Sequence, residues 1–127
     1  MQVNYTSPYN TDKVKYTGPL AIVTYTGDRN GENQMHGYGE VLFANGSTYK
    51  GHFQHDMMHG TGEFIDTQGS VYNGEFFEDK RHGYATFTYT DGKYEGMYVN
   101  NRRHGKGKEI DAFGNVYEGQ FEQGDFE

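Results

Sequence analysis

The sequence predicts an all-β fold, an elongated single-layer antiparallel sheet of stacked β-hairpin repeats. Three observations predict it. A Tyr-x-Gly-x frame recurs at Tyr25, Tyr49, Tyr72, Tyr94 and Tyr117, at intervals of 24, 23, 22 and 23 residues. A His-Gly pair keeps step with it at His36, His59, His82 and His104, at intervals of 23, 23 and 22. Two marks drifting together define a repeat, and a repeat of this length is one supersecondary unit. Within each unit, rings and glycines alternate with polar residues at period two, the signature of a strand.

The elements follow in order. Residues 1–19 are polar and carry Tyr5 and Tyr9; they read as an N-terminal tail or a strap across the sheet. Residues 20–127 are the repeat array. Leu20-Ala21-Ile22-Val23-Thr24-Tyr25 is the longest near-apolar run and reads as a strand capping the array. The unit from Tyr25 is the least regular, with Arg29 where Phe53 and Phe76 stand later and one extra residue before His36. In the unit from Tyr49, the strand Tyr49-Lys50-Gly51-His52-Phe53 puts Tyr49, Gly51 and Phe53 on one face. Gln54 to Met58 reads as the connection, Gly60 to Ile65 as the return strand, and Asp66-Thr67-Gln68-Gly69 as the turn to the next unit. Units from Tyr72 and Tyr94 repeat this plan, with Ala85 in place of the second glycine and one residue fewer after Gly92. Tyr117 to Phe121 begins a fifth unit with a single strand. Glycine on a ring-bearing face leaves a hole that a ring can cover; Gly51 under Tyr72 and Gly74 under Tyr94 are the expected pairs.

The motifs resemble the MORN repeat family (membrane occupation and recognition nexus). The resemblance is carried by Tyr-x-Gly-x-Phe, by the His-Gly-x-Gly segments at Gly37/Gly39, Gly60/Gly62 and Gly105/Gly107, and by the period near 23; it covers about residues 25–127. It implies a groove-shaped array of hairpins and a role in cytoskeletal, ciliary or membrane-junction assemblies. With strands about 4.8 Å apart, nine to ten strands make a rod on the order of 45 Å long.

Composition excludes several classes of function. Net charge is −7, against a broad electrostatic grip on nucleic acid or anionic lipid. There is no cysteine, hence no disulfide or thiol chemistry. No membrane-spanning apolar run and no secretory leader is visible, which points to a cytoplasmic protein, with cytoskeletal or membrane association left open. Repeat histidines about 10 Å apart are too distant to share a metal, and a local hydrogen-bonding role is expected of them; a hairpin bringing two of His52, His55 and His59 together is the remaining metal reading. No serine stands in a nucleophile elbow and no glycine cluster forms a phosphate loop. The expectation is therefore a protein that is not an enzyme and uses no cofactor.

Three surfaces remain. The ring face, Tyr49, Phe53, Tyr72, Phe76, Tyr94, Tyr98, Tyr117 and Phe121, suits a helical or extended segment of a protein partner. The connections form an edge running from Met57 and Met58 to Lys80, Arg81, Arg102 and Arg103, apolar first and basic later. That basic end is the alternative reading, a site for anionic lipid or phosphoinositide. The strand at Tyr117–Phe121 has no hairpin mate: it invites a second copy, or the chain continues in a longer natural protein, or the residues after Phe121 block the edge, where Glu122, Asp125 and Glu127 would discourage pairing.

Overall fold

A computed structural model describes residues 21–121. Among these residues the chain is a single nine-stranded antiparallel sheet whose strand order follows the sequence. The strands are β1 (Ile22–Arg29), β2 (Met35–Phe43), β3 (Thr48–Gln54), β4 (Met57–Ile65), β5 (Val71–Phe77), β6 (Lys80–Tyr89), β7 (Gly92–Val99), β8 (Arg102–Asp111) and β9 (Val116–Phe121). The expected sheet of consecutive hairpins is what forms. The tail or strap expected at 1–19 lies outside the described residues, as do Glu122, Asp125 and Glu127.

Two kinds of turn alternate. Within units two to four the connection is two residues, His55-Asp56, Glu78-Asp79 and Asn100-Asn101, all at positive φ. Two-residue hairpins need that backbone hand because it matches the strand twist. Between units the turn is wider and closed by an aspartate or asparagine side chain: Asp66 Oδ1 accepts the amides of Gln68 and Ser70, and Asp111 repeats this with Phe113 and Asn115. After Tyr89 the turn shrinks to Thr90-Asp91, with Tyr89 opposite Gly92. This is the deletion that sets the 22-residue step.

The connection expected over Gln54–Met58 is thus shorter than expected, and Met57 and Met58 belong to β4. The return strand instead absorbs length in a bulge. Gly51 faces Gly62 and Phe53 faces Met58, so His59, Gly60 and Thr61 stand against His52 alone. The same shift separates Gly74/Ala85 from Phe76/Arg81, and Gly96/Gly107 from Tyr98/Arg103. Between hairpins the ladders run unbroken. The glycine of each His-Gly pair sits in this bulge at positive φ, from +78° at Gly105 to +103° at Gly83. A side chain is strained there, which is why the pair is invariant within the chain.

The core is a row of rings on one face. Tyr25, Phe53, Tyr49, Phe76, Tyr72, Tyr98, Tyr94 and Phe121 meet in that order edge to face, with centroids 4.9–5.5 Å apart and planes crossing at 68–89°. Tyr49, Tyr72 and Tyr94 each touch the ring four residues on and the corresponding ring of the next unit. Arg29, where the first unit lacks a phenylalanine, stacks on Tyr25 with its guanidinium carbon 4.8 Å from the ring centre.

The glycine partners differ from expectation. A Cβ on Gly62 would strike the Tyr49 ring, and one on Gly107 the Tyr94 ring. Tyr25, Tyr49 and Tyr94 therefore lie over the glycines of their own hairpins, so Gly51 is covered by Tyr49 and not by Tyr72. The hydroxyl completes the arrangement. Tyr49 donates to the His52 carbonyl at 2.8 Å, Tyr72 to Glu75 at 2.6 Å and Tyr94 to Met97 at 3.0 Å. The residue whose carbonyl accepts is the one facing the bulge.

Candidate interaction surface

The residues before the repeat histidines, Met35, Met58, Arg81 and Arg103, are equivalent and lie on the ring face. All four are buried. The Arg103 guanidinium, 2% exposed, sits 4.4 Å over the Tyr94 ring and 3.4 Å from Glu109 Oε1. Arg81 lies 5.0 Å over Tyr98 and donates to the Asn101 carbonyl at 2.8 Å. The expected loop edge is corrected accordingly. Met58, Arg81 and Arg103 point inward because alternation along β4, β6 and β8 puts them beside Phe53, Phe76 and Tyr98. Met57, Lys80 and Arg102 stay on the other side. The basic end expected to meet lipid keeps Lys80 and Arg102 and loses both of its buried arginines.

The expected ring groove is likewise interior. Seven of its eight rings are buried, Tyr49 fully; Tyr117 on β9 is 57% exposed. The accessible surface is the opposite face, which the sequence reading passed over. Three rows of side chains run along it from strand to strand. One is mainly aliphatic or β-branched: Leu42, Thr48, Ile65, Val71, Thr88, Lys93, Ile110 and Val116. The middle row carries charges in sequence, with Glu40 opposite Lys50, Lys50 opposite Glu63, and Glu95 opposite Lys108, itself opposite Glu118. Lys93 and Lys108 lie 3.1 and 3.7 Å from Glu95. The third row includes Tyr38, His52, Thr61, Glu75, Tyr84, Met97, Lys106 and Gln120. Tyr38, Tyr84 and Met97 are exposed large apolar groups there, and Phe77 is another nearer the turns.

Towards β9 this face opens into a cleft of about 530 Å³. Its floor is the backbone of Gly96, Gly107 and Gly119, and its walls include Tyr84, Glu95, Lys106, Lys108, Glu118 and Gln120. There the backbone of these inward-facing positions is exposed between the outward side chains of Glu95, Lys106, Lys108, Glu118 and Gln120. Period-two alternation contained this face, but the signal was split among rows whose register only pairing reveals.

The histidines line the turn edge. His36 Nδ1 accepts the amide of His55 at 3.2 Å, His59 that of Glu78 and His82 that of Asn100, both at 3.4 Å. Their hydrogen bonds are therefore to the turn of the following unit rather than local. Phe77 stacks between His59 and His82, with centroids 5.0 and 5.9 Å away. Of the three histidines considered for a metal, His55 meets His36, His52 meets Tyr38 and His59 meets Phe77. Among the described residues no three His, Cys, Asp or Glu side chains gather as a metal site would require. Among them, too, no helix is long and apolar enough to cross a membrane.

Four consecutive segments, residues 32–48, 49–71, 72–93 and 94–115, match the family model of the MORN repeat. No curated protein matches the chain. MORN repeats are non-enzymatic modules that generally mediate interactions with proteins or membranes. Matched over well more than half its length, in segments of which the last three follow the hairpins β3–β4, β5–β6 and β7–β8, the chain belongs to the MORN repeat family.

Proposed function

We propose that this protein is a non-enzymatic scaffold that seats a helical segment of a protein partner along the outer face of its sheet. The observation that carries the proposal is the exposed pair Tyr84 and Met97, opposite one another on β6 and β7 beside the cleft over β6–β9, with Tyr38 and Phe77 exposed further along the same face. Large apolar groups exposed together and rimmed by charges mark interaction sites. A helix advances about 5.4 Å per turn and the strands about 4.8 Å each, so successive turns can address successive strands. Apolar residues at i, i+3, i+4 and i+7 would meet Tyr84 and Met97, while the alternating charges of the middle row select against segments of uniform charge. Cytoskeletal and ciliary assemblies, the settings associated with the family, are where such a partner is to be sought.

The test is a photo-crosslinking residue placed at Tyr84, with the partner segment mapped by mass spectrometry. The mapped peptide should gain helicity on binding the unlabelled protein, and the Tyr84→Ser/Met97→Ser variant should bind it at least tenfold more weakly with an unchanged circular dichroism spectrum. A crosslinked segment that binds the double variant as tightly as the parent would overturn the proposal.

A further inference from the structure

We infer that the outer face selects its partner helix by charge order: the segment it seats carries a basic and an acidic residue about ten positions apart, one at each end of its apolar stripe, with the basic residue on Glu75 and the acidic one on Lys106. The inference rests on the helix-docking reading above and adds to it the partner's charge pattern and the way it lies.

Four successive strands bring one residue each to the third outer row. Glu75 of β5 stands against the bulge that ends in Tyr84 of β6. Tyr84 faces Met97 of β7 directly. Met97 stands against the bulge that ends in Lys106 of β8, in the wall of the cleft. Along the array the row reads acid, ring, thioether, base, and all four side chains are exposed. The middle row beside it is already engaged at this end, Glu95 with Lys93 at 3.1 Å and with Lys108 at 3.7 Å. Among the described residues Glu75 and Lys106 have no ion-pair partner, and their charges stand open to a ligand.

The bulge glycines show where there is room. A side chain lies over three of them: Asp28 over Gly37, His52 over Gly60 and Glu75 over Gly83. In the fourth hairpin the residue in that register is Met97, and nothing lies within 4 Å of the Cβ position of Gly105. The backbone beside Lys106 is therefore bare. A carboxylate from a partner can reach the ammonium there without displacing a side chain of the protein.

Spacing sets the rest. From Glu75 to Lys106 is three strand steps, about 14 Å, which a helix covers in about ten residues. A basic residue at i, apolar residues at i+3 and i+7 and an acidic residue at i+10 share one helix face. They would meet Glu75, Tyr84, Met97 and Lys106 in turn. Each exposed ion pair changes affinity only a few-fold. The two together fix direction, because a helix laid the other way round sets base against base and acid against acid.

Fluorescence anisotropy with three labelled, alanine-based helical peptides tests this. All carry leucine at i+3 and i+7; the residues at i and i+10 are lysine and glutamate, two lysines, or two glutamates. The parent protein should bind the mixed peptide about two- to thirtyfold more tightly than either uniform one. Lys106→Glu should move the preference to the two-lysine peptide and Glu75→Lys to the two-glutamate peptide, each with an unchanged circular dichroism spectrum. Attraction to net charge alone would rank the two-lysine peptide first on a protein of net charge −7. That rank, or any rank that stays the same in the parent and both variants, overturns the inference; helix docking still stands if Tyr84→Ser/Met97→Ser weakens every peptide. Binding of no peptide up to about 1 mM, or binding that Tyr84→Ser/Met97→Ser leaves unchanged, overturns both.

Discussion

At the residue scale the hairpins depend on the space between a tyrosine ring and two glycines. A Cβ on Gly51 would press on backbone, the Gly62 Cα and the Thr61 carbonyl at 2.6 Å. A Cβ on Gly62 would press on the Tyr49 ring, a side chain. Unit three shows that the second position can give way, because Ala85 occupies it naturally opposite Gly74. Gly51→Ala should therefore cost about 1–3 kcal/mol and Gly62→Ala distinctly less, an order that urea denaturation measures; the reverse order would mean that the ring, not the backbone, is the rigid part. The same burial acts on acidity. Burial, reinforced by the hydrogen bond to Glu109, pushes the Tyr89 phenol up to about 12, and burial raises Tyr49 and Tyr72 further. A phenol that ionises later in the folded state than in the unfolded one adds stability that is complete below about pH 10 and is lost as pH rises through the folded value. Alkaline titration should show strand circular dichroism collapsing together with a rise in tyrosinate absorbance above about pH 10; phenolate formation by these rings with the strand signal intact would contradict it. The tyrosine–glycine principle is legible in the sequence but the partners are not. Spacing puts Gly51 beneath Tyr72, yet it lies beneath Tyr49, because which ring covers which glycine is set by side-chain direction, and spacing does not report it.

At the scale of the element, one hairpin is joined to the next at its turn as well as along its strand. The second turn residue bonds twice to the residue before the preceding unit's histidine. Asp79 donates its amide to the Met58 carbonyl at 2.9 Å and accepts the Met58 amide on Oδ1 at 2.8 Å. Asp56 does the same to Met35, and Asn101 to Arg81. These residues must hold positive φ and also present a side-chain oxygen, and aspartate and asparagine do both at low cost. Asn101→Ala removes the acceptor from the buried Arg81 amide and puts a poorly suited residue at φ +76°. It should destabilise the protein by about 1–3 kcal/mol, while Asn101→Asp, which copies units two and three, should stay close to the parent in thermal melts. Equal melting temperatures for the alanine and aspartate variants would show that the side-chain oxygen is dispensable. This junction explains why the sequence reading misplaces the loop edge. Gly-free turns such as Glu78-Asp79 hide a two-residue hairpin, so the strand start is set about three residues late. The error places Met58, Arg81 and Arg103 on loops, whereas they alternate with their neighbours and turn inward.

At the scale of the molecule, each hairpin touches its neighbours and little else, so stability should be close to a sum of units and junctions. The order of strands and the number of units are legible because they follow from the repeat alone. The accessible face is not, because burial depends on which side of the whole sheet the rings occupy. The same one-dimensional order makes the ends weakest. β1 and β9 each have one neighbouring strand in the described sheet, and most of their residues are exposed. Native-state hydrogen exchange should accordingly find the slowest amides in β4–β7 and the fastest in β1 and β9, with opening energies graded towards the ends. Asn101→Ala loosens the junction between β6 and the turn that enters β8. Its effect should spread over β6–β9, which can open as a unit from that end, and fade before β2–β4, where the junctions made by Asp56 and Asp79 remain intact. Loss of protection shared equally by all nine strands would instead mean that the ring row couples the hairpins into one cooperative body. The junctions would then be secondary to the continuous edge-to-face contact from Tyr25 to Phe121.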